Sequence, residues 1–135
     1  MAKDDKEVRE TIEEGIAASI YKRGEQLRDA GDVNGAVVQF QRIAKEAPNT
    51  QANIAAQFDV AANLMAAKEY QKAIAQFDRF RRKYPKHKLQ KQVSENLVVA
   101  YLKTDKPLYA AEELQKLRAS QDPNHPQQSE VLQGQ

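Results

Sequence analysis

Seventeen residues, Asp32 to Pro48 (DVNGAVVQFQRIAKEAP), return 37 residues later as Glu69 to Pro85 (EYQKAIAQFDRFRRKYP). In both copies a small Ala (Ala36, Ala73) is followed four residues on by Phe (Phe40, Phe77). An apolar residue follows three further on (Ile43, Phe80), and Pro closes the segment. A fixed period in this range is the mark of stacked helical hairpins, none of which can bury its apolar stripe alone. Applying the period again carries Val60, Leu64, Ala73, Phe77 and Phe80 onto Leu97, Tyr101, Ala110, Leu114 and Leu117, all apolar and of suitable size. The chain therefore reads as three repeats, about 14–50, 51–87 and 88–123. A charged segment or helix extension (1–13) precedes them and a polar Gln-rich tail (124–135) follows.

Local signals punctuate the helices. Thr11, three residues before Glu14 and ahead of Ile16 and Ile20, reads as a capping box; the alternative is one long helix from about Asp4, since Gly15 is only a mild breaker. Gly31 is the expected stop of this helix near Ala30. Asp32 caps a helix over 33–46, ended by Pro48 and Asn49. Thr50 or Asn49 caps the next, to about Ala67, and Lys68 and Glu69 stand where the first repeat has Gly31 and Asp32. A helix over 70–83 puts Ala73, Ile74, Phe77, Phe80 and Tyr84 on one side. Asp105, Lys106 and Pro107 offer a cap and a first-turn proline for the last helix, and one short helical turn is expected around Ser129 to Leu132. No segment alternates apolar and polar residues as a strand would. In each repeat the Ala lets two helix axes approach, and the Phe or Leu one turn later fills the gap beside it.

Composition excludes several chemistries. The chain has no cysteine, so disulfides and thiolate metal sites are absent. A net charge of +2 is too small to argue for nucleic acid by itself. No apolar run approaches the ~20 residues that span a bilayer, and the first residues lack the apolar core of a signal peptide. The chain is thus cytoplasmic, or has lost a signal, or is a segment of something longer. His87 and His125 lie in proline-containing loops with no carboxylate at ligand spacing, so no metal or acid–base site is expected. Glu13–Glu14 and Glu112–Glu113 read as solvated helix faces. There is no phosphate-cradling glycine loop and no nucleophile elbow, so neither an enzyme nor a cofactor is expected.

These residues resemble the tetratricopeptide repeat, a helix–turn–helix unit of ~34 residues. Repeat one matches through Gly24, Leu27, Gly31, Ala36, Phe40 and Pro48. Repeat two matches through Ala61, Leu64, Ala73, Phe77 and Pro85, with Lys68 where Gly is usual. Repeat three keeps Tyr101 and Ala110, has Leu114 for the aromatic, and Val98 and Asp122 at two other family positions. Ile20, Gln57 and Ser94 replace a further aromatic. The resemblance implies an all-α fold of three antiparallel helix pairs stacked as a right-handed α-solenoid. Slightly long repeats ending in KYP are similar to those of bacterial envelope proteins, such as the outer-membrane assembly lipoprotein and the Tol–Pal coordinator. That implies a periplasmic or envelope location, with cytoplasm as the alternative.

In the family the first helices of successive pairs line a concave groove. Carried over, its residues are Tyr21, Lys22, Glu25 and Arg28 from repeat one, Phe58, Asp59, Ala62 and Met65 from repeat two, and Glu95, Asn96, Val99 and Lys103 from repeat three. The implied function is a non-enzymatic scaffold for a peptide or partner helix, with no small-molecule substrate. Phe58, Met65 and Leu102 can equally serve as packing between helices, whereas Tyr21, beside Lys22 and Arg23, is expected to be exposed. Of the basic clamp that some members use on C-terminal carboxylates only Asn96 is present, and that function is not expected. Two alternatives remain. One is self-assembly end to end, with Tyr109, Ala111 and Leu117 available on the last helix. The other is an anionic partner or RNA on the basic run Arg79, Arg81, Arg82, Lys83, Lys86, Lys88 and Lys91. The ordinary explanation of that run is a solvated face complementing a helix C-terminus.

Overall fold

The computed structural model describes residues 4–121, and among them all regular secondary structure is helical. Six helices follow in order: α1 (Asp5–Asp29), α2 (Val33–Glu46), α3 (Gln51–Ala66), α4 (Tyr70–Lys83), α5 (Gln90–Lys103) and α6 (Pro107–Gln121). The helices expected over 33–46 and 70–83 are α2 and α4. The capping box at Thr11 does not start a helix. Asp4 does so instead, its carboxylate accepting from the Glu7 N–H at 2.7 Å, and the Thr11 hydroxyl bonds back to the Glu7 carbonyl. Asp32 and Thr50 cap α2 and α3, accepting from the N–H groups of Gly35 and Asn53. The helical turn expected around Ser129 to Leu132 lies outside the described residues.

The turns repeat with the sequence period although their residues do not. Gly31, Lys68 and Asp105 stand 37 residues apart and all adopt a left-handed backbone, with φ of 91°, 63° and 59°. In the first and third of these turns the following N–H reaches back five residues, Asp32 to Leu27 and Lys106 to Tyr101, each at 2.8 Å. This is the closure that satisfies the last carbonyls of a helix. Asp105 is therefore the left-handed stop of α5 rather than a cap of α6, and Pro107 opens α6 as its first residue.

The described residues form two compact units, divided between Lys68 and Glu69. In the first, α1 packs on α2, and α3 packs on both. Its core is Ala17, Ile20, Ala36, Phe40, Ile43, Ala47, Ala56 and Val60. The Phe40 ring is fully buried and lies against Gly24, where an added Cβ would stand only 2.5 Å from the ring. In the second unit α5 packs on α4 and α6. Ala73, Phe77, Phe80, Val93, Leu97, Ala100 and Ala110 are buried. All three period-spaced alanines, Ala36, Ala73 and Ala110, are thus interior, as close helix approach requires.

Repeat three departs from expectation in α6. Leu114, placed by the period on the buried side, is 51% exposed, while Glu113, expected to be solvated, is 3% exposed. The physical reason is a cation from α4. Arg81 reaches Glu113 with two hydrogen bonds, at 2.7 and 2.8 Å, and this two-point contact holds the carboxylate inside.

Candidate functional site

The expected groove residues of the first unit come from α1 and α3. Tyr21, Glu25 and Arg28 lie on one side of α1, and Phe58, Asp59, Ala62 and Met65 on one side of α3; all seven are half-buried, whereas Lys22 is exposed. Tyr21 and Asp59 are brought together, the phenol donating to the Asp59 carboxylate at 2.5 Å. Tyr21 is therefore not the exposed side chain its charged neighbours suggested. Its ring rests on Phe40, 5.2 Å between centroids, because α1 turns this face toward the core. Burial pushes the phenol well above its ordinary value, and the adjacent carboxylate adds to the shift. Burial also raises Asp59, against the opposing effects of the Tyr21 hydrogen bond and Arg28. Arg28 in turn pairs with Glu25 at 3.8 Å and with Asp29 at 3.4 Å. The unit thus offers an apolar row, Phe58, Ala62 and Met65, at helical spacing beside a fixed polar pair. A thioether such as Met65 adapts readily to varied apolar partners.

In the second unit the expected groove residues lie on α5. Glu95 and Lys103 are exposed, and Val99 is 45% exposed with Leu102 beside it at 58%. Leu102 is therefore not packing between helices, whereas Phe58 and Met65 are partly covered. Asn96 spends one amide hydrogen on the Gln92 carbonyl at 2.8 Å, within its own helix.

The sequence gives no sign of a bonded side-chain cluster in this unit. Arg81 bonds Glu113 and also donates to the Ser94 hydroxyl at 3.1 Å, and Lys116 approaches Glu113 at 3.4 Å. Burial by itself would raise the Glu113 carboxyl, but the Arg81 hydrogen bonds and charge, with help from Lys116, hold it below the ordinary value of 4.5. The hydrogen bonds to Glu113 keep Arg81 firmly charged despite its burial. Arg81 must therefore be taken out of the basic run as a free cation; its partner stands 32 residues away, so no local pattern in the sequence announces the pair. Beside this cluster a pocket of about 670 Å³ opens between the α4–α5 loop, α5 and α6, lined by Lys86, His87, Lys91, Lys116 and Leu117 among others. His87 accepts from the Leu89 N–H through Nδ1 at 3.1 Å and meets the Phe80 ring edge-on. His125 lies outside the described residues.

Among the described residues no three His, Asp or Glu side chains gather as a metal site. No helix there is long and apolar enough to cross a membrane. Compared with known proteins, the chain matches a family model described as an outer membrane lipoprotein, YfiO, over residues 13–132. No curated protein and no solved structure matches it.

Proposed function

Because this chain belongs to the YfiO family of outer membrane lipoproteins, we propose that it is a non-enzymatic scaffold of the cell envelope. In this reading α1 and α3 of the first unit, and α5 of the second, each present a face to an extended peptide or partner helix. The observation that carries it is the incomplete burial of apolar side chains on those helices. Phe58, Ala62 and Met65 on α3 are each partly open, and Val99 and Leu102 on α5 are more so. Aliphatic anchors in rows of this kind suit the recognition of an amphipathic helix or an apolar-spaced strand. The Tyr21–Asp59 bond holds polar groups in place at the edge of the α3 row, where they would orient a partner rather than provide its binding energy.

The test is capture of envelope proteins by the intact chain and by a Met65→Lys, Val99→Lys variant. Both positions are partly open, so the fold tolerates the change, but a charge in either row should weaken partner binding tenfold or more. An unchanged set and amount of captured proteins would refute the assignment. A second reading, self-association, is favoured by α6, where Leu108 is 81% exposed and Tyr109 and Leu114 are also open. Light scattering over a concentration series separates it from the first: a chain that stays monomeric removes it.

A further inference from the structure

We propose that the pocket of the second unit is a separate binding site, and that it takes an acidic peptide segment. The pocket is an open depression between the α4–α5 loop, α5 and α6, with a volume of about 670 Å³. That is within the range of sites that hold organic ligands and more than a single inorganic anion would fill. Four cationic side chains line it, Arg81, Lys86, Lys91 and Lys116, and no carboxylate is among its described lining residues.

The hydrogen-bonding state of these groups narrows the ligand. Arg81 is spent on Glu113 and Ser94, and Lys116 is only partly engaged, 3.4 Å from Glu113. Lys86 and Lys91 are exposed, and among the described residues neither meets an acceptor. His87 uses Nδ1 as an acceptor for the Leu89 N–H, which leaves Nε2 to carry a proton and donate. Two other polar lining groups each spend a donor within the fold: the Gln90 amide nitrogen donates to the Tyr84 carbonyl and the Ser120 hydroxyl to the Leu117 carbonyl. The free charges of the pocket are therefore all positive, which favours a ligand that presents carboxylates.

Peptide is favoured over nucleic acid by two features. His87 is the one aromatic ring among the described lining residues, and a single imidazole does not make the series of stacking platforms that successive bases need. Pro85 and Leu117 give the pocket an apolar side that a sugar–phosphate chain would not use but that an aliphatic side chain between two carboxylates would. The lysines are on long flexible stems and act as point charges, which fits carboxylates of varied spacing better than a fixed bidentate geometry. This site uses side chains other than the α5 groove residues Glu95, Asn96, Val99 and Lys103, and does not depend on the scaffold reading.

The experiment is fluorescence anisotropy with the full chain and a labelled hexapeptide of alternating Glu and Leu. Its counterpart with Gln for Glu, inorganic phosphate and a short single-stranded RNA are run in parallel. The acidic peptide should bind, bind at least tenfold more weakly to a Lys86→Gln, Lys91→Gln, Lys116→Gln variant, and weaken with added salt. The Met65→Lys, Val99→Lys variant should bind it as the parent does. Circular dichroism checks that the lysine variant is folded, and a single Lys91→Glu change, at an exposed position, provides an independent variant. Equal binding of the Glu and Gln peptides, or affinity unchanged by the lysine substitutions, would overturn the proposal. So would displacement of the peptide by phosphate at equal concentration, or tighter binding of the RNA.

Discussion

Gly24 is small because Phe40 is large. A Cβ at Gly24 would stand 2.5 Å from a ring that has no exposed surface through which to move. Gly15, on the same helix, has nothing within 4 Å of its would-be Cβ. The two glycines should therefore respond oppositely to the same substitution. Gly15→Ala should raise stability by about 0.5–1 kcal/mol through helix propensity. Gly24→Ala should lower it by about 1–2 kcal/mol, because overpacking a filled core outweighs that gain. Urea unfolding of the two variants checks this, and a stabilised Gly24→Ala would show that the close approach is wrong. The sequence marks both as glycines in a helix, and only the family pattern singles out Gly24. The clash belongs to a residue 16 positions away, so no local signal reveals it. Tyr21 and Asp59 teach the same lesson: their mutual bond is a contact between α1 and α3 that neither stretch of sequence announces.

At the scale of the element, helix ends were legible wherever a short polar side chain meets an N–H three residues on. Asp32 and Thr50 are such cases and open α2 and α3, while Pro48 and Pro85 stand just beyond the ends of α2 and α4. Thr11 has the same local pattern and caps nothing, because Asp4 had already nucleated the helix and an exposed Gly15 does not interrupt it. The turns show the period acting on backbone shape more strictly than on residue type. Gly31 takes the left-handed conformation freely, whereas Lys68 and Asp105 take it at a cost. Replacing Lys68 with Gly should stabilise the chain by about 0.5–1 kcal/mol, the relief of strain being partly offset by greater freedom in the unfolded state. Asp105→Gly should gain less, since Asp tolerates this conformation better than Lys. Thermal melting decides, and a Lys68→Gly variant that melts earlier than the parent would contradict the argument.

At the scale of the molecule, the ion pair between Arg81 and Glu113 ties α4 to α6 across 32 residues of sequence. Glu113→Gln should cost roughly 2–4 kcal/mol, because it leaves a half-buried guanidinium without its counter-charge. The carboxyl is held below 4.5 in the folded chain, so its stabilising share is complete above that pH and fades as pH falls through its lowered value. The gap in stability between the parent and Glu113→Gln should accordingly narrow below pH 4.5, as chemical unfolding at several pH values would show. A gap independent of pH would mean that Glu113 is not charged in the fold. The amino-acid order alone determined the helical class, the 37-residue spacing, the buried alanines and most helix bounds, because each rests on neighbours within a turn or two. Which carboxylate enters the interior, which leucine of α6 meets water, and which cations of the basic run remain free were decided only when distant helices came together. Those outcomes depend on the energy of pairing charges and filling space between segments, and that energy does not exist until the chain has folded.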